Sequence, residues 1–167
     1  MILPEGMKSE CIKLLNIAIS CCLHDSKLKF IFRTHPLIDI SQFKYLLNSK
    51  ILKDNIIFSK NSLKDDILVS NFAFFSGSSA IIEAVQNGLM PLHINNSSDL
   101  STNPFYEIKD YIFSTNNYLD IINFIRTNQY KNFFKISNFK FIQNYIKSIY
   151  SPLNYNNMSS LVRKINE

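Results

Sequence analysis

Short apolar runs alternate with helical segments along the first 115 residues, and this alternation restricts the fold more than any other feature of the chain. Six runs have the length and composition of strands. The segments between them carry helical spacing or turn residues, most clearly residues 9–24. This order predicts an α/β fold, in which a parallel sheet of about six strands has helices on both faces. The predicted strands are residues 1–4, 28–33, 55–59, 72–75, 91–95 and 111–114.

The carboxyl-terminal part of the chain is mostly helical from residue 117, with a break at Ser151-Pro152 and a final helix at residues 158–165. A chain of 167 residues has the length of one domain, and contents of 46% hydrophobic and 19% charged residues argue against disorder. We therefore expect a Rossmann-like, doubly wound domain at residues 1–150 and a carboxyl-terminal helix within residues 151–167.

No segment has the pattern of a membrane span or a secretion signal. Apolar stretches break well before the roughly 20 residues that a bilayer requires, and Pro4-Glu5-Gly6 interrupts the amino-terminal stretch. The three cysteines fall within one predicted helix without metal-ligand spacing, which predicts buried thiols in a reducing compartment. We expect a cytoplasmic protein without a metal site.

The formal charge of +5 comes from lysines that are scattered among Asn and Ile rather than gathered in one patch. This distribution does not favour a nucleic-acid partner. Aromatic residues and lysines alternate at residues 130–135 and 139–141, a pattern that permits peripheral association with the inner face of the membrane. An ordinary amphipathic helix with its aromatic side chains in the core is the other explanation.

The turn Ser76-Gly77-Ser78-Ser79 follows the predicted strand at residues 72–75 and opens a helix. Small residues let the backbone approach a ligand, and a helix start directs free N–H groups and the positive end of its dipole at the space above it. The hydroxyls of Ser78 and Ser79 add donors. The turn therefore predicts a phosphate site, and the alternative is a serine-rich helix cap without a ligand.

Glu83 lies four residues after Ser79 and seven after Ser76, so we expect all three on one helix face. A capping box with Ser79 would need an acid at position 82, which is Ile82. A carboxylate about one turn below a phosphate would accept hydrogen bonds from ribose hydroxyls. The alternative is a solvated side chain.

A second polar group, Arg33-Thr34-His35-Pro36, stands at the carboxyl end of the predicted second strand. That end of a doubly wound sheet faces the ligand crevice, so Arg33 and His35 are predicted to converge on the serine turn. Arginine suits bidentate phosphate binding, and histidine can donate to a phosphate oxygen. An exposed loop without a ligand is the alternative.

The chain has only three glycines, and each stands at a junction between a predicted strand and a predicted helix. In a chain so poor in glycine, these residues are expected to serve the geometry of the backbone. They are Gly6, Gly77 and Gly88.

Together these motifs resemble the carboxyl-terminal, nucleotide-sugar-binding half of GT-B glycosyltransferases. The resemblance is strongest to bacterial surface-polysaccharide enzymes, including sialyltransferase-like and capsule-assembly families whose donor sites carry a His-Pro and a Ser-Ser motif. It covers about the first 115 residues and rests on the order of short motifs. These are Arg33-Thr34-His35-Pro36, Ser76-Gly77-Ser78-Ser79, Glu83-Ala84 and Gly88-Leu89-Met90-Pro91.

The resemblance implies a role for each motif. His35 would be the catalytic group that contacts the donor phosphate and stabilises the departing nucleotide, with Arg33 beside it. Phosphate oxygens would lie at Ser76–Ser79 and ribose at Glu83, while Glu5 and Gly6 would approach the donor sugar or the interdomain cleft. The donor would be a nucleotide-sugar, with a cytidine monophosphate link favoured, and no separate cofactor is implied.

A complete GT-B enzyme has a second, amino-terminal domain that carries the acceptor site and usually the general base, and 167 residues leave no room for it. The implied partners are therefore a glycan acceptor and an amino-terminal domain or partner chain, on which residues 151–167 would pack if they do not pack on residues 1–150. Two alternatives remain open. They are a sugar-nucleotide epimerase of the same architecture and a non-catalytic nucleotide-binding or assembly module.

Overall fold

A computed structural model describes residues 1–36, 38–95 and 102–150. It confirms the predicted α/β class, with six strands that form one sheet. The carboxyl-terminal helix predicted within residues 151–167 lies outside the described residues. The strands are β1 (Ile2–Leu3), β2 (Phe30–Phe32), β3 (Ile56–Phe58), β4 (Phe72–Phe75), β5 (Met90–Ile94) and β6 (Phe113–Thr115).

Seven α-helices and two 3₁₀ segments connect or follow these strands in the described part of the chain. The 3₁₀ segments are Ile40–Leu46 and Tyr106–Tyr111. The helices are α1 (Lys8–His24), α2 (Lys50–Asn55), α3 (Leu63–Leu68), α4 (Ala80–Gln86), α5 (Tyr118–Arg126), α6 (Gln129–Phe133) and α7 (Ile136–Ile149).

All strand pairs are parallel, in the order β3-β2-β1-β4-β5-β6. The chain builds the sheet outward from β1 to β3 and then returns to the other side of β1 with β4. β1 and β4 are thus neighbours whose connections leave in opposite directions, which creates a crevice above their carboxyl ends. Helix α1 contacts both α2 and α5, and α4 contacts α7 as a separate group, as expected for a doubly wound sheet.

The core has apolar side chains from the central strands and from one face of α1. Phe32 on β2, Phe75 on β4 and Leu92 on β5 are fully buried. The predicted buried thiols are confirmed, because all three cysteines are free and lie on the buried face of α1. Burial raises the pKa of Cys21 to about 12, so this thiol stays protonated at neutral pH.

Two differences from the sequence prediction have local causes. Helix α2 was not predicted, because it is one short turn without a repeating apolar pattern; Ser49 begins it by accepting the backbone N–H of Leu52 at 3.3 Å. The sixth strand begins two residues later than predicted, because Tyr111 belongs to the preceding 3₁₀ segment.

In the lysine and aromatic stripe of the tail, most aromatic side chains pack in or against the core, while the lysines are exposed. Phe134 is buried at the end of α6, and Ile142 and Ile146 are the buried residues of α7, as an amphipathic helix predicts. Phe141 instead is 43% exposed and its ring lies against Tyr111, with 4.4 Å between the ring centroids. No helix among the described residues is long and apolar enough to span a membrane.

Candidate functional site

A cleft of about 420 Å³ lies above the carboxyl ends of β1 and β4. It coincides with the switch point of the sheet, where doubly wound proteins bind their ligands. The serine turn and the Arg-Thr-His-Pro segment both line it, so the predicted convergence of these two motifs is confirmed. The lining residues are Leu3, Pro4, Glu5, Arg33, Thr34, His35, Pro36, Leu63, Gly77, Ser78, Ser79 and Ala80.

Ser78 and Ser79 present polar groups to this cleft. Ser78 is 7% exposed and lines the cleft. Ser79 precedes α4 in helical geometry (φ −67°, ψ −19°) and its side chain does not cap the helix. The serine-rich cap considered as an alternative is therefore not formed by Ser79.

Ser76 anchors the turn instead of lining the cleft. Its hydroxyl donates to the carbonyl oxygen of Ile94 at 3.1 Å, and its own carbonyl oxygen lies 3.1 Å from Nε2 of His93. Nδ1 of His93 lies 2.9 Å from the hydroxyl of Ser114, and burial lowers the pKa of the ring. A neutral ring thus joins the ends of β4, β5 and β6, a structural role that the sequence did not reveal.

Glu83 is exposed and is not among the residues that line the cleft. The expectation that it shares a helix face with Ser76 was wrong, because α4 begins at Ala80 and Ser76 lies outside the helix. In the described geometry, Glu83 matches the alternative of a solvated side chain.

Arg33 lines the cleft, but its guanidinium is bound by other groups of the protein. Nη1 forms an ion pair with Asp66 at 2.5 Å and donates to the carbonyl oxygen of Asn61 at 2.8 Å. The Asp66 side chain is only 1% exposed. Burial alone would raise the pKa of Asp66, but hydrogen bonds from Ser59 and Arg33, and the charge of Arg33, hold it below the ordinary value. Arg33 thus neutralises a buried carboxylate, which the sequence did not predict.

His35 lies between the cleft and Gly6. A Cβ atom on Gly6 would come within 2.9 Å of Cγ of His35, so the ring packs directly on this glycine. Gly6 has a φ of 114°, a conformation that side-chain-bearing residues rarely adopt. Gly6 therefore has two reasons to be glycine, its backbone geometry and the close approach of His35.

Glu5 faces the serine turn across the cleft. A Cβ atom on Gly77 would lie 2.7 Å from both carboxylate oxygens of Glu5 and would overlap the hydroxyl of Thr102. The Thr102 hydroxyl donates to Glu5 at 3.1 Å. A phosphate placed directly at Gly77 would be repelled by this carboxylate, so the free side of the turn is at Ser78, Ser79 and Ala80.

Glu10 is a further titratable group below this region that the sequence analysis did not single out. It is 7% exposed; Oε2 accepts the backbone N–H of Glu5 at 2.6 Å, and Oε1 is buried without a partner among the residues that the structure describes. Burial raises its pKa to about 7, although hydrogen bonds from the backbone of Glu5 and Gly6 lower it. The sequence does show an acid in the first turn of α1. Whether this acid is buried depends on the path of the preceding loop, which the sequence pattern does not indicate.

Within residues 1–36, 38–95 and 102–150, no group of three or more His, Cys, Asp or Glu side chains could hold a metal ion. No known protein-family model matches this chain, and neither a curated protein nor a solved structure shows significant similarity to it.

Proposed function

We propose that this chain is the donor-binding domain of a glycosyltransferase in bacterial surface-polysaccharide synthesis, and that it binds the nucleotide part of a nucleotide-sugar in the cleft between β1 and β4. One observation carries the proposal. The two predicted motifs, Ser78-Ser79 and His35-Pro36, line the same cleft at the switch point of a parallel sheet.

The polar groups of the cleft suit a phosphate on one side and a neutral polar group on the other. The backbone N–H groups of Ser78, Ser79 and Ala80 donate to no acceptor in the described part of the chain, and His35 lies on the same cleft. These donors would hold phosphate oxygens, and His35 would stabilise charge on the departing phosphate. Glu5 would face the sugar, since its negative charge repels phosphate and its carboxylate oxygens can accept hydrogen bonds from sugar hydroxyl groups.

Transfer to a glycan acceptor would require groups beyond this cleft. We propose that an amino-terminal domain or partner chain supplies the acceptor site, and that the assembly works in the cytoplasm or at the inner face of the membrane. A cytidine monophosphate link to the sugar is the favoured donor chemistry. An epimerase would instead convert the donor sugar without an acceptor, so product analysis with donor alone separates the two reactions.

The first test is ligand binding by the isolated chain. We expect one of cytidine, uridine or guanosine nucleotides, or their sugar conjugates, to raise the melting temperature in a thermal-shift screen. His35→Ala and Ser79→Ala should each weaken binding about tenfold by calorimetry, because each removes a donor to a charged oxygen. Matched controls are His24→Ala and Ser137→Ala, both exposed and outside the cleft. Absence of stabilisation by every nucleotide would contradict the proposal.

A second test uses the close contact at Gly77. The methyl group of Gly77→Ala would force Glu5 and Thr102 to move, so we expect nucleotide affinity to fall by about tenfold. Gly88→Ala is the control, because Gly88 has a φ of 101° and open space around it. That variant should lose about 1 kcal/mol of unfolding free energy and bind nucleotide as the wild type does. Equal affinity in the wild type and both variants would contradict nucleotide binding in this cleft.

A further inference from the structure

The loop between β1 and α1 connects both walls of the cleft to one buried carboxyl group. On one side of this loop, Glu5 lies against Gly77; on the other, Gly6 packs on the ring of His35. Below it, Oε2 of Glu10 accepts the backbone N–H of Glu5 at 2.6 Å. A displacement of this loop therefore moves groups on both sides of the cleft at once.

The position of Glu10 is unusual because half of its carboxyl group is left unsatisfied. Oε1 is buried and has no hydrogen-bond partner in the described residues, and the whole residue is 7% exposed. An ionised carboxylate in this position loses hydration that the backbone donors of Glu5 and Gly6 do not fully replace. If the loop opens, water regains access to the carboxyl group.

We propose that Glu10 is a positioning residue, whose buried carboxyl group holds the β1–α1 loop closed over the cleft when protonated and loosens it when ionised. The inference rests in part on the proposed function, because the closed loop is the one that shapes the phosphate site. Ionisation also adds a negative charge beside Glu5, which opposes an incoming phosphate. Both effects make anion binding weaker as Glu10 loses its proton.

The charged groups around Glu10 set the pH at which this change occurs. Burial raises the pKa of Glu10 to about 7, and the neighbouring charge of Glu5 adds to this rise. Lys13 acts in the opposite sense. Cys11 also faces Glu10, and its own pKa is raised to about 11, so it stays neutral near pH 7. His35 reaches the loop through Gly6.

The first experiment needs no ligand and uses the full chain. Amide hydrogen exchange at Glu5, measured by NMR and corrected for intrinsic exchange, reports the opening of the loop. In the wild type, we expect protection to fall about tenfold between pH 6 and pH 8, because a group with a pKa of about 7 when buried ionises more easily when hydrated. Glu10→Gln, which keeps the shape of the protonated acid, should show high protection at every pH.

Asp54→Asn is the matched control, since it removes the same charge from an exposed site and should follow the wild type. Protection that does not change with pH in the wild type would overturn the proposal, and so would an equal pH dependence in Glu10→Gln. If Glu10→Gln does not fold, the wild-type profile decides together with the titration of the ¹³C-labelled Glu10 carboxyl group.

The second experiment measures the affinity for cytidine 5′-monophosphate against pH in the wild type and in Glu10→Gln. We expect wild-type affinity to fall by up to about tenfold relative to Glu10→Gln between pH 6 and pH 8. If the ratio of the wild-type affinity to that of Glu10→Gln stays constant with pH, the proposed link between Glu10 and the cleft is overturned. If no nucleotide binds at all, the proposed function fails while the exchange experiment still decides the role of Glu10 in the loop.

Discussion

Replacing Arg33 by methionine should lower the free energy of unfolding by about 3–5 kcal/mol, because the carboxylate of Asp66 would remain buried without its partner. The measurement is urea unfolding at pH 7 followed by circular dichroism. The double variant Arg33→Met with Asp66→Leu should recover most of this loss, since apolar groups replace both members of the pair.

A second arginine in the chain provides the control for this measurement. Arg126 pairs with Asp25 at 2.9 Å, but the arginine side chain is 51% exposed. Arg126→Met should therefore cost less than about 1 kcal/mol. A similar loss in Arg33→Met and Arg126→Met would show that the pair with Asp66 is not a buried charge contact. It would also return Arg33 to the phosphate role that the sequence suggested.

The sequence predicted the sheet and the cleft because both depend on pattern and chain direction. A short apolar run predicted β4, and the small residues after it predicted the turn before α4. The carboxyl ends of parallel strands meet at one edge, so His35 and Ser78 could be expected to share a cleft although 43 positions separate them in the numbering.

The orientation of side chains at that edge could not be predicted in the same way. Arg33 stands at the end of a strand beside the cleft, yet Nη1 turns to Asp66, a residue of α3. Ser76 turns toward the carbonyl oxygen of Ile94 and away from the cleft. The orientations of both side chains depend on partners far along the chain. Strand and helix patterns carry no information about such partners.

The burial of Glu10 has the same origin. An acid in the first turn of α1 is favoured by the helix dipole whether it is exposed or buried. Its burial follows from the loop in which Gly6 takes a φ of 114° and His35 covers the glycine. We expect the burial of this carboxyl group to affect the stability of the whole protein.

We expect the unfolding free energy of Glu10→Gln to rise relative to the wild type by roughly 3 kcal/mol between pH 4.5 and pH 8. Burial raises the pKa of Glu10 from 4.5 in the unfolded chain to about 7 in the folded protein. The folded state therefore binds the proton more tightly. The stability that the protonated Glu10 carboxyl group contributes is fully present below pH 4.5 and is lost as the pH rises through about 7.

The comparison between variant and wild type isolates this effect from other titrations. His93 acts in the opposite sense, because its lowered pKa removes stability as the pH falls. Both proteins carry His93, so its contribution cancels in the difference. Asp54→Asn should show a difference that is nearly constant with pH, since this side chain is exposed. A constant difference for Glu10→Gln as well would mean that the Glu10 carboxyl group remains hydrated in the folded protein, because lost hydration is the largest cause of the rise in its pKa.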